Sequence, residues 1–351
     1  RRSLSPGNRL WIALAVCVLA AVGFITINAA GNLEFVLPFR GRKLAAMALV
    51  GWATGVATVA FQTVTNNRLL TPSILGLDAL YAFLQTMLIF LLGVSFVSTI
   101  GPYAMFGIVV ALMMVAAIGL TGLLFGRKGR SVYLVVLAGL VLGAILRSFS
   151  SLIGRILDPT SYLVLQGNLF ASFNAVNPEL IGIGALVVAV CSWWLWTQRN
   201  ALDVLTLGRE TAVSLGVPYH RTVRAVLLVA TLLVSVSTAL VGPITFLGLI
   251  VAAVAYQIAG SGKHAYTMAM AGLLAFTPQF LFLSAVVNND NAATAFSALI
   301  LWQVAAVLHN ARPGWQRPMV LGLLLGLGLL SKANVAVLVP IAGLAVVLAP
   351  A

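Results

Sequence analysis

Long apolar runs broken by short polar loops make up most of this chain, and that pattern predicts membrane-spanning helices. A span needs about 20 apolar residues. The runs at 10–29, 44–64, 73–93, 101–125, 131–150, 179–197, 223–241, 244–259, 266–286, 292–308 and 318–348 meet or approach that length. The run at 244–259 is short, and the last is interrupted at Ser331-Lys332-Ala333-Asn334. The expected fold is all-α, a polytopic transmembrane helical bundle of about ten to eleven spans. Continuous rather than alternating apolar runs exclude a transmembrane β-barrel. Two connections are longer than turns, Gly31–Arg42 and Gly154–Glu179. The second holds apolar patches too short to span and predicts a re-entrant or interfacial helix. Small-residue pairs at Gly51/Gly55, Gly139/Gly143 and Gly322/Gly326 permit close helix packing in lipid.

Composition sharpens this reading. Of 351 residues, 61% are hydrophobic and 8% charged, against roughly 25% charged in a soluble domain. One soluble core cannot hide so much apolar surface. The net charge is +13, from 20 Lys+Arg and 7 Asp+Glu. The positives cluster in short loops, so membrane orientation, not nucleic acid, is their expected cause. With the N-terminus in the cytoplasm, all but Arg40, Arg42, Lys43, Arg147, Arg155 and Lys332 fall on the inner side. The cluster Arg40/Arg42/Lys43 is the conspicuous violation. Cys17 and Cys191 lie inside apolar spans and are expected to be buried, neither bridged nor metal-bound. The chain begins with Arg1, not Met, so its natural start is expected upstream. Trp11–Ile27 has no small-residue cleavage site after it and is expected to be the first span, not a signal peptide.

One polar island interrupts the oily pattern, Leu205–Arg221, reading LTLGRETAVSLGVPYHR. Thr206 or Gly208 is expected to cap a helix of about two turns over 209–215. Gly216 suits the left-handed position after it, and Pro218 blocks continuation. Two readings fit these residues: a cytoplasmic coupling helix seated in a groove of an ATPase, or an ordinary loop helix at the membrane face. Asp78 lies in the third span, where a carboxylate is costly. It is expected to hydrogen-bond Tyr81 as a structural pair or to face a translocation path. His220, His264 and His309 stand near inner helix ends without metal-ligand spacing, and are expected to be interfacial. The sequence has neither a Walker A lysine loop nor a nucleophile–base constellation. No catalytic residue, metal site or cofactor is therefore expected, and ATP must be hydrolysed by another chain.

The island, together with Val241–Ile250 (VGPITFLGLI), resembles the permease subunits of ABC importers for ferric siderophores and cobalamin. Phe39–Leu44 (FRGRKL) is similar to that family's basic start of the second helix, with Gly41-Arg42 replacing the usual residues. Gln62–Gly76 resembles its turn between helices two and three, with Arg68 where Pro is usual. Leu157–Asn174 is most similar to the branch associated with catecholate siderophores such as petrobactin. Together these cover residues 8–267.

The resemblance implies a multi-pass permease subunit of an ATP-driven ferric-siderophore importer in the bacterial inner (plasma) membrane, performing no covalent chemistry. It implies that Leu207, Gly208, Arg209, Glu210, Ala212, Leu215, Gly216 and Val217 couple to a cytoplasmic ATP-binding ABC subunit. It gives Arg40, Arg42 and Lys43 the role of docking a periplasmic or lipoprotein siderophore-binding protein, with contact to anionic lipid as the alternative. Asp78 is the translocation-path candidate. A second permease subunit, identical or paralogous, completes the path within the lipid bilayer; no nucleic-acid partner is implied.

Beyond residue 267 the expected pattern fades, and Val251-Ala252-Ala253 stands where the family has a Pro-His pair. Phe276–Ala293 and Leu321–Asn334 resemble membrane glycosyltransferases of the dolichyl-phosphate-mannose–protein mannosyltransferase type. The expected division is a permease-like transmembrane domain at 1–267 and a glycosyltransferase-like transmembrane segment at 268–351, a natural fusion or a sequence join. The alternatives this raises are a membrane glycosyltransferase using polyprenyl-phosphate sugar, or a non-functional chimera.

Overall fold

The computed structural model describes residues 5–26, 33–125, 132–173, 176–275, 297, 299–304, 316–331 and 339–340. The chain forms two compact units, Arg1–Ala285 and Val286–Ala351. The described part of the first is helical throughout. Its helices are α1 (Pro6–Thr26), α2 (Leu33–Thr65), α3 (Leu77–Val97), α4 (Pro102–Phe125), α5 (Val132–Gly154) and α6 (Pro159–Leu169). Then follow α7 (Pro178–Thr197), α8 (Arg199–Leu205), α9 (Arg209–Ser214), α10 (Tyr219–Val241), α11 (Leu247–Ala259) and α12 (His264–Ala275). Seven of the described helices, α1 to α5, α7 and α10, are long and apolar enough to cross a membrane. The run predicted at 244–259 is the short helix α11, as its length suggested. In the second unit the described residues include a helix at Gln316–Ser331, overlapping the run predicted at 318–348; residues 276–286 and much of 292–308 lie outside the described residues.

Two spans form the centre of the first unit. The apolar window of α2 is 72% buried and that of α10 is 67% buried, whereas that of α1 is 6% buried. Helix α2 packs against α7, α10, α11 and α12. It does so through small side chains: Ala46, Ala53, Ala57 and Ala60 are all fully buried on it. Lipid tails are as apolar as leucine, so close contact between backbones is what holds such helices together. Gly51 and Gly55 make this contact with α12. A Cβ at Gly51 would lie 2.5 Å from the Ala275 carbonyl oxygen, and one at Gly55 would lie 2.7 Å from that of Ala271. The pair Gly139/Gly143 receives the backbone of Leu75 and Gly76 in the same way, while Gly322 and Gly326 have nothing within 4 Å.

Two expectations change. The stretch Gly31–Arg42 is not a loop over its described part: α2 already begins at Leu33 and runs through the basic cluster. The reason is visible at Arg40, whose Nη1 donates to the carbonyl oxygens of Phe24 (3.0 Å) and Ile25 (3.3 Å). Those carbonyls end α1 and have no partner inside it. The third span does not begin as one helix at residue 73. A 3-10 turn at Pro72–Leu75 comes first, then Gly76 at φ +82°, then α3. The connection Gly154–Glu179 carries α6, too short to span, as expected. Its Asp158 Oδ2 accepts from the Ser161 backbone N–H at 2.9 Å and caps the helix. That contact, with the Ser161 side chain, holds the Asp158 carboxyl below the usual carboxylate range. Cys17 and Cys191 are buried and free.

Gly55→Leu is expected to destabilise the bundle by about 1–3 kcal/mol or to abolish folding, because the Ala271 backbone cannot retreat. Gly322→Leu, in open space, is expected to leave stability unchanged. Thermal unfolding of the detergent-purified variants, followed by size-exclusion chromatography, checks both.

Candidate functional site

The polar island becomes a rod held at both ends. Helix α8 sinks Leu202 and Leu205 into the core. The next residues turn through Gly208 at φ +96°, which is the N-cap of α9. Thr206 does not cap α9: its hydroxyl donates to the Asp203 carbonyl at 2.7 Å and closes α8 instead. The far end is a Schellman motif. Gly216 N–H bonds the Val213 carbonyl and Val217 N–H bonds the Ala212 carbonyl, both at 3.0 Å, with Gly216 at φ +82°. Ala212 is completely buried, while Leu207, Val213 and Leu215 are 60%, 55% and 61% exposed. Arg209, Glu210 and Ser214 are exposed with them. Arg209 is steadied by His220, 3.4 Å from its Nη2, and by the Tyr219 ring at 5.8 Å. The result is a short helix pinned on its inner side, with an apolar and charged outer face.

A polar relay ties this rod to the centre. Asp203 Oδ1 accepts from the His264 backbone N–H (2.8 Å) and lies 2.5 Å from Nδ1. The other ring nitrogen, Nε2, lies 2.6 Å from Thr63 Oγ1 on α2. One carboxylate of α8 thus caps α12 and orients a ring that touches α2. His264 is therefore a buried linking group, not an interfacial one, because α8 folds over it. His220 is exposed, and His309 lies outside the described residues. Burial pushes the His264 imidazole below its ordinary value, with Asp203 pulling the other way. Beside this relay opens a polar cavity of about 510 Å³ lined by Gln62, Asn66, Arg68, Tyr256 and His264 among others. Neither Asp203 nor Thr63 was singled out from sequence. Asp203 could have been, as one of 7 acids in the chain and adjacent to the island.

The other candidate residues lie elsewhere. On α2, Arg42 is exposed, Arg40 and Lys43 are half-buried, and the Lys43 ammonium sits 4.0 Å over the Phe39 ring. Asp78 opens α3. Its Oδ2 accepts from the Thr245 hydroxyl at 2.7 Å, and Ser73 and the charge of Arg147 on α5 act on it as well. Oδ1 has no hydrogen-bond partner. The expected Asp78–Tyr81 bond is not formed: the Tyr81 hydroxyl donates to the Asn168 carbonyl at 3.3 Å, since its long ring reaches α6.

Asp203→Ala leaves two donors of His264 without their acceptor and is expected to cost about 1–3 kcal/mol; Asp203→Asn keeps an oxygen there and is expected to cost less. Because His264 has a folded value below the unfolded 6.5, its contribution is complete above that pH and is lost as pH falls through the folded value. The melting temperature of the native chain should therefore drop more steeply on acidification below pH 6.5 than that of His264→Asn. Thermal melts across pH measure both effects.

A model of the FecCD transport family matches residues 10–289. The permeases of two petrobactin import systems are similar. YclO of Bacillus subtilis is 41% identical over 263 residues, covering 75% of this chain and 84% of that protein. FatC of Bacillus anthracis is 32% identical over 284 residues, covering 78% and 80%. FepD of Escherichia coli, a ferric enterobactin transport permease, is 30% identical over 296 residues, covering 81% and 86%. A solved metal-chelate type ABC transporter in an inward-facing conformation shares the fold, with TM-score 0.68 and 21% identity over 80% of this chain and 90% of that one. The family match runs to residue 289, beyond the point at 267 where the resemblance in sequence fades. It takes in most of the Phe276–Ala293 phrase, which lies outside the described residues. This multi-pass helical chain, with transport permeases as its relatives, is a transport component rather than an enzyme and belongs to the FecCD transport family.

Proposed function

We propose that the chain is the membrane-spanning permease of an ATP-driven importer for a ferric siderophore of the petrobactin kind. In this reading it sits in the bacterial plasma membrane with its N-terminus in the cytoplasm. A cytoplasmic ATPase subunit receives α9, a binding protein delivers the chelate to the opposite side, and a second permease subunit closes the path. The observation that carries the proposal is the held rod. A helix that exposes Leu207, Val213 and Leu215 around Arg209 and Glu210, yet anchors Ala212 in the core, suits a soluble partner that pushes on it. The names of the similar permeases supply the substrate class.

The mechanism follows from rigidity. Closure of the ATPase displaces α9, and α8 moves with it through the buried Leu202 and Leu205. The Asp203–His264–Thr63 relay passes the displacement to α12 and α2. Packed helices shift as bodies rather than bending, which is alternating access by rocking. At the opposite face Arg42, with Arg40 and Lys43 beside it, orients the binding protein's acidic residues, a role that sets on-rate more than affinity. The segment 268–351 is read as a natural fusion or a sequence join, its first residues to 289 falling within the family match. Its resemblance to transferases rests on Phe276–Ala293 and Leu321–Asn334 alone, and consumption of lipid-linked sugar by the purified chain without any ATPase tests it.

Arg209→Glu combined with Glu210→Arg, or Leu207→Asp with Leu215→Asp, should abolish co-purification with the ATPase while the permease still folds. Retention of the ATPase by both variants overturns the coupling role. Arg42→Glu should slow binding-protein association about tenfold at low ionic strength and little at high salt; surface plasmon resonance against salt concentration measures it.

A further inference from the structure

The first turns of α10 are basic, and their cations stand over an apolar floor. His220, Arg221 and Arg224 are exposed. With Ala225 and Leu228 they line a recess of about 370 Å³. At 3.6 residues per turn these five positions fall within about 140° of the helix circumference. Thr222, Val223, Val226 and Leu227 occupy the other side and are buried. The recess is therefore the open face of the first turns of α10. That helix carries neither Asp nor Glu to offset the charge. The cations and the floor lie at different depths. The apolar span begins at Tyr219, so the cations lie at its very start, at the membrane boundary. Leu228 lies about 14 Å in from Tyr219, at 1.5 Å per residue. Half-buried Leu232 continues the same face one turn deeper.

We infer that this recess binds an anionic phospholipid of the inner leaflet. His220, Arg221 and Arg224 receive the phosphate, and Leu228 and Leu232 bear the acyl chain. The choice of leaflet rests on the import reading above, which puts α9 and the start of α10 on the cytoplasmic side. Guanidinium groups fork onto phosphate oxygens through charge-assisted hydrogen bonds. Basic pockets at the cytoplasmic ends of spans suit lipid headgroups for the same reason. A free anion would satisfy the cations and leave the apolar floor bare, whereas a lipid covers both. A soluble protein could reach the cations but not Leu228, which lies at hydrocarbon depth. The headgroup also stands at the root of α9, because His220 lies 3.4 Å from Nη2 of Arg209. A bound lipid thus steadies the coupling rod from its membrane side.

Native mass spectrometry of the detergent-purified full chain, titrated with phosphatidylglycerol or phosphatidylethanolamine, tests the site. The native chain should prefer phosphatidylglycerol. Arg221→Gln combined with Arg224→Gln should weaken its tightest phosphatidylglycerol binding about thirtyfold and erase the preference. Arg221→Lys combined with Arg224→Lys should keep it. Thermal melts of both double variants should match the native chain, since the buried side of α10 is untouched. Equal binding of the two lipids by the native chain overturns the inference, as does native-like phosphatidylglycerol binding by the glutamine variant. Displacement of the lipid by an equal concentration of inorganic phosphate also overturns it, because the site would then hold a free anion. The glutamine variant should still co-purify with the ATPase; loss of the ATPase would make the arginines a protein contact and overturn the lipid assignment. The side of the membrane is tested separately. Arg221→Cys should react with a membrane-impermeant maleimide in inverted vesicles and not in intact spheroplasts. Reaction in spheroplasts overturns the import reading and the leaflet, whereas the titration in detergent decides the site itself, so the two failures are distinguished.

Discussion

Close backbone contact around α2 is the constraint on which the rest of the first unit depends. In hydrocarbon, burying leucine against leucine gains little, so association has to come from packing and from satisfied polar groups. Gly51 and Gly55 let α12 approach until the carbonyls of Ala275 and Ala271 would touch any added Cβ. Alanines along α2 allow its other neighbours to press equally close. A helix enclosed in this way cannot move alone. A displacement at its Thr63 end must carry the packed helices with it.

The polar side chains of the spans divide accordingly. Many threonine hydroxyls return to their own helix: those of Thr58, Thr65, Thr86, Thr121 and Thr231 donate to carbonyls four residues back. Such groups are satisfied at home and make no statement about function. Others join different elements. Thr63 also meets His264, Thr245 donates to Asp78, and the Thr54 hydroxyl lies 3.3 Å from that of Ser237. The first of these sits where the exposed rod meets the core. The second ties the start of α3 to the turn before α11. These two polar contacts thus sit in separate places of an otherwise oily bundle.

The basic cluster near the start of α2 is divided between a helix joint and an exposed side chain. Arg40 stops α1 by binding its last carbonyls, which fixes the angle between α1 and α2. Arg42, two residues on, is left exposed on another side of the helix. The docking role proposed for this cluster would thus rest on a joint between two helices.

What the sequence determined by itself follows from local rules. Apolar run lengths set the spans, because a bilayer has one thickness and its backbone groups must bond within the helix. Gly216 and Pro218 marked the end of α9, since a left-handed turn and a missing N–H act within a few residues. Tertiary structure decided the rest. His264 and Asp203 are 61 residues apart, and Thr245 and Asp78 are 167 apart. No periodicity links such pairs; they meet only because α8 folds over α12 and the turn before α11 reaches α3. The helical start of α2 was hidden for the same reason: the carbonyls that hold Arg40 belong to another helix.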